Sequence, residues 1–133
     1  MRNLKTIVLG AALLAAGSLS AATLTVEILG PGGHSNGNYG RTNAVHAAAR
    51  AALAIEKAVP DAVITDVKGG VSVNAIAGDA SFKVVLPQGD VKTLTKEVTE
   101  AVKAGCDAEN AFRGVKAGEL SNGVPAEVRC TVK

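Results

Sequence analysis

From Thr23 to Ile28 polar and apolar side chains alternate, the period of a strand with one buried face. Leu24, Val26 and Ile28 share the apolar side, and the turn Gly30-Pro31-Gly32-Gly33 ends the segment. After a glycine- and asparagine-rich stretch the period changes. Thr42 or Asn43 offers a helix cap, and the spacing predicts a helix to about Val59 with Val45, Ala48, Ala49, Ala52 and Ile55 on its apolar side. His46, Arg50 and Lys57 mark a solvated side of the same helix. Alternation returns from Ala62 to Lys68, placing Val63 and Val67 on one face, and Gly69-Gly70 breaks it. Ser81 to Leu86 reads as a third strand with Phe82, Val84 and Leu86 aligned. A second helix is predicted from an Asp90 cap through Leu94, Val98 and Val102 towards Cys106. A glycine-rich loop through Gly114, Gly118, Gly123 and Pro125 follows, then a last strand from Glu127 to Lys133.

The order is therefore β-α-β-β-α-β. Every predicted strand carries one apolar and one largely polar face, so the sheet needs cover on one side only, and two amphipathic helices supply it. The expectation is an α+β two-layer sandwich of the ferredoxin-like kind, with a four-stranded antiparallel sheet and both helices on one face.

Residues 1–22 stand apart from this pattern. Arg2 and Lys5 precede an apolar run from Ile7 to Ala16, and Ser20-Ala21-Ala22 supplies small residues for cleavage. That is the layout of a secretory signal peptide, with an apolar run far short of the roughly 20 residues of a membrane span. The expectation is cleavage after Ala22, a single domain at 23–133, and a bacterial protein that is periplasmic or secreted, with no membrane attachment afterwards. Arg2 and Lys5 account for the whole +2 formal charge, leaving 12 basic and 12 acidic side chains beyond them. A balanced surface without tryptophan gives no reason to expect nucleic acid or anionic lipid as a partner.

Cys106 and Cys130 both fall in the exported part, where an oxidising compartment favours a disulfide; the alternative is two buried thiols. A bridge would tie the last strand to the second helix. Their wide separation matches neither a zinc pair nor a redox motif.

Three ordered motifs carry a resemblance. GPGGHS at 30–35, GRTNAVHAAARAAL at 40–53 and VKGGVSVNAIAGDASFKVVL at 67–86 resemble the dimerisation, or lid, domain of the M20 family of zinc-dependent peptidases and amidohydrolases. The motifs run from Thr23 to Leu86, and the element order extends the likeness to the C-terminus. The resemblance implies a homodimer formed through the first helix and an edge strand, with Val45, Ala48, Ala49 and Ala52 as interface candidates. It also implies that His34 reaches a partner's active site to steady a scissile carbonyl oxygen, and that Asn74 helps place substrate. An imidazole N–H and a side-chain amide suit those tasks.

Two departures qualify it. Pro87 stands where carboxylate-binding members place an arginine. The chain also has only two histidines, no H-x-D motif and no paired glutamates, so a co-catalytic zinc centre is not expected within it. No catalytic residue, metal ligand or cofactor is assigned.

Each feature has a plainer reading. His34 is a ligand-contacting donor or a turn residue retained from a complete peptidase. Asn74 and the glycines at 32, 33, 69 and 70 serve turns, the glycines through positive φ. The helix alanines fill a core or allow a close approach between two copies. Three functions remain: a non-catalytic self-associating module, an accessory subunit giving His34 in trans to a separately encoded M20-type catalytic subunit, and a small peptide- or amino-acid-binding protein.

Overall fold

A computed structural model describes residues 22–133. The signal-peptide reading therefore lies outside the described residues. Alternation at 23–28 becomes β1 (Thr23–Leu29), in which Leu24, Val26 and Ile28 are buried and their neighbours are not. Asn43 caps α1 (Ala44–Ala58), its Oδ1 accepting from the Val45 and His46 amides at 2.9 and 3.1 Å. Then come β2 (Val63–Gly69), β3 (Asp79–Val85) and α2 (Val91–Phe112). A hairpin of β4 (Leu120–Ser121) and β5 (Val124–Pro125) precedes β6 (Arg129–Val132).

The main sheet has the order β2-β3-β1-β6, antiparallel throughout. Its inward residues form one cluster with the helices: Val26, Ile28, Phe82 and Val84 meet Ile55, Val98 and Val102. Each such burial contributes about 1.5–3 kcal/mol before entropy is charged against it. Both helices thus cover one face of the sheet, the ferredoxin-like α+β sandwich expected from the pattern. Cys106 and Cys130 are bridged, with Cα atoms 6.5 Å apart, joining α2 to β6.

Several details differ from expectation. The core side of α1 is Ala44, Ala47, Ala48, Ala51 and Ile55, a stripe turned about one residue from the expected one. Of the expected apolar positions, Val45 and Ala49 are exposed and Ala52 half-buried. In β2 a bulge places Asp66 and Val67 opposite Phe82 alone, with Asp66 at φ 54°. One extra residue reverses the inward-outward parity. Ile64 therefore packs against the core and Val67, though still 68% exposed, lines the groove beside α1, whereas Val63 lies opposite Val85 and reaches neither, so Val63 and Val67 do not share a face.

The second helix continues past Cys106, its expected end, to Phe112, and in this added length Glu109 is a buried link between the helices. Its carboxylate accepts from Arg50 Nε at 3.1 Å, Arg113 Nε at 3.2 Å and the Asn43 amide at 2.9 Å. Arg50 and His46 are consequently not a free solvated side; His46 Nδ1 lies 3.1 Å from Arg113 Nη2. Asp90 stands at the cap of α2, but its carboxylate accepts the Thr93 hydroxyl instead of making a side-chain cap bond.

Candidate functional site

The loop carrying His34 is held against the loop carrying Asn74. His34 pairs opposite Ala75 in a short antiparallel bridge. Around it, Ile76 N–H donates to Gly33 O at 2.8 Å and Ser35 N–H to Asn74 O at 3.0 Å, joined by the Ser35 hydroxyl at 3.1 Å. The approach to this bridge demands glycine, since Gly32 and Gly33 take φ of 64° and 108°. Gly70 is likewise positive at 79°, but Gly69 serves space rather than φ: a Cβ there would stand 2.6 Å from Val45 Cγ2.

The ribbon is further tied by Asn38 Nδ2 donating to His34 O at 2.9 Å and Arg41 Nη1 donating to Gly32 O at 2.8 Å. The His34 imidazole itself is exposed and makes no hydrogen bond to a described residue. Asn74 is different: its Oδ1 accepts the Ser72 hydroxyl at 2.9 Å, the local turn bond its residue type favours. The two sequence candidates are thus brought to one ribbon, one with a free ring and one with its amide oxygen engaged. Tyr39, Val71 and Val73 are exposed on the same loops.

A second site lies between α1 and the edge strand β2. Val45, Ala48, Ala49 and Ala52 line one groove of about 350 Å³ with Val67, Lys68, Gly69 and Ala80. All four expected interface residues meet there, although Ala48 is mostly committed to the core at 4% exposure. Val67 was not singled out from sequence for this role, because strict alternation assigns it the same face as Val63; the bulge at Asp66 brings it in. Among the described residues, no three His, Cys, Asp or Glu side chains gather closely enough to hold a metal ion.

A βαββαβ sandwich with a histidine-bearing glycine ribbon and an apolar helix-strand groove defines a lid-type module. The family model for the peptidase dimerisation domain of the M20 type matches residues 17–110. This chain belongs to that family. No curated protein matches it.

Among solved structures, a hydantoinase/carbamoylase family amidase from Burkholderia ambifaria superposes with a TM-score of 0.55 at 25% identity, over 86% of this chain and 28% of the amidase. A tripeptidase from Staphylococcus aureus gives 0.57 at 16% identity, over 84% and 28%. A hydantoinase/carbamoylase family amidase from Burkholderia vietnamiensis gives 0.57 at 18%, over 84% and 26%. The last two likenesses speak for the fold alone. This chain spans little more than a quarter of each.

Proposed function

We propose that this chain is an exported, non-catalytic module that works by self-association, two copies meeting through α1 and β2. One observation carries the reading: α1 has two apolar sides. Its inner stripe is spent on its own core, yet Val45, Ala49, Ala52 and Leu53 form a second stripe, with Val45 39% and Leu53 65% exposed. Water-facing aliphatic area of this kind is what association removes. The adjoining edge of β2 presents backbone donors and acceptors that a two-fold copy of itself would satisfy. Small alanines permit close helix approach across such an axis. Membership of a dimerisation-domain family agrees with the reading, and the Cys106–Cys130 bridge suits an oxidising compartment.

Sedimentation equilibrium tests it. The protein should be dimeric, and Ala49→Glu should make it monomeric while melting stays within a few degrees, because position 49 is exposed within the groove. Ala48→Glu is a poorer probe, since it also buries a charge in the core. A wild-type chain monomeric at about 1 mM, equivalent to self-affinity weaker than roughly −4.1 kcal/mol, refutes the proposal. Stoichiometric zinc binding or amide hydrolysis by the purified chain refutes its non-catalytic part.

A second reading is favoured by the unpartnered His34 ring: supply of that imidazole in trans to a separate zinc hydrolase. It requires hydrolase activity that rises on mixing and is lost with His34→Ala.

A further inference from the structure

We propose that the cluster of Arg50, Arg113, His46 and Phe112, at the C-terminal end of α2, is a binding site for an oxyanion, a carboxylate or phosphate group. It is separate from the groove and from the His34 ribbon.

Glu109 holds the arginines in place. Its carboxylate is fully buried, and each guanidinium approaches it through Nε alone, at 3.1 and 3.2 Å. An arginine has five N–H donors in a rigid fork. The terminal amino groups of Arg50 therefore keep all their donors without a described protein partner, and Arg113 spends only Nη2, on His46. A guanidinium cannot accept, so a bond between Arg113 Nη2 and His46 Nδ1 requires the tautomer that carries its ring proton on Nε2, a further donor. Two cations against one carboxylate leave one positive charge.

The cluster is also pre-arranged. The guanidinium carbons lie 4.9 and 5.1 Å from the centre of the Phe112 ring, within cation–π range. Carboxylate on one side and ring on the other restrict both side chains before any ligand arrives, which lowers the entropy cost of binding. The arginine side chains remain 36% and 21% exposed, open to a ligand yet partly desolvated, so charge-assisted bonds there exceed their value in bulk water. Phe112 is 66% exposed and gives an apolar floor beside the donors. That combination fits a carboxylate on a flat or aliphatic body better than a bare ion.

The test is nuclear magnetic resonance titration of the full chain with benzoate, acetate and inorganic phosphate, ionic strength held constant with chloride. The Nε–Hε signals of Arg50 and Arg113 should shift saturably, and Arg50→Gln, which leaves Glu109 paired with Arg113, should weaken binding about ten-fold. Phe112→Ala keeps both ion pairs and serves should Arg50→Gln not fold; it should weaken benzoate more than phosphate. Benzoate ahead of acetate assigns an organic carboxylate as the natural ligand, whereas phosphate ahead of both assigns a phosphate group. Shifts that never saturate, or that saturate elsewhere on the protein, overturn the proposal. So does benzoate and phosphate binding that neither substitution alters.

Discussion

Replacing Gly105 by alanine sets two effects of opposite sign against each other. Glycine inside a helix costs roughly 1 kcal/mol relative to alanine, so at an open position of α2 the substitution would stabilise. Position 105 is buried, and its neighbour is the backbone of the facing helix. A Cβ there would stand 2.5 Å from Ala51 Cα and 2.8 Å from the Arg50 carbonyl carbon, where carbon atoms prefer about 3.5–4.0 Å. No side chain can turn aside to relieve this, because the obstruction is main chain. The helices must part by about 1 Å, loosening the core they share. Overpacking of this kind costs about 1–3 kcal/mol and more where relaxation is blocked, so we expect a net loss near 2 kcal/mol. At about 4–8 °C per kcal/mol for a domain around this size, melting should fall by roughly 8–16 °C. Urea unfolding followed by circular dichroism should show a lower midpoint with an unchanged slope. A Gly105→Ala protein as stable as the parent, or more so, would refute the close helix approach.

Two further expectations concern stability. Removing the bridge between Cys106 and Cys130, 24 residues apart, with paired serines should cost about 3.5 kcal/mol by the chain-entropy argument, read as a urea midpoint matched by the parent under reductant; an unchanged midpoint contradicts it. The Thr93 hydroxyl donates to the Asp90 carboxylate at 2.6 Å and is the main cause holding that carboxyl below the ordinary aspartate value. Because the folded value lies below the unfolded one, the bond's stabilisation is present above the unfolded value and is lost as pH falls through the folded one. Carboxyl titration of Asp90 by carbon NMR should therefore give a low midpoint that Thr93→Val raises, and a midpoint at the ordinary value or above argues against the bond.

The strands β1 and β3 and the start of α1 were legible in the residues alone. Alternation at 23–28 and 81–86 reports burial directly, since neighbouring strand residues face opposite sides, and Asn43 sits where a helix needs its cap. His34 and Asn74 were singled out as motif residues, and the positive φ of Gly32, Gly33 and Gly70 was legible because turn chemistry is local; the pairing of their two loops, about 40 residues apart, was not. Less readable were events that depend on a partner distant in sequence. Glu109 is buried against Arg50, 59 residues away, as well as Arg113 one turn along its own helix, and the four interface candidates line one groove although the core stripe of α1 is displaced by about one position.

Local pattern, then, determined the element order, the one-sided burial and the turn chemistry, because propensity, periodicity and capping act over a few residues. Tertiary structure decided the rest. It turned Val67 into the groove through the bulge at Asp66, brought Gly105 against α1, joined Cys106 to Cys130, and gathered two guanidiniums around a buried carboxylate. Apart from the Glu109–Arg113 pair within one helix turn, each of these depends on groups far apart in the chain meeting at contact distance, and no short window of the sequence contains both members.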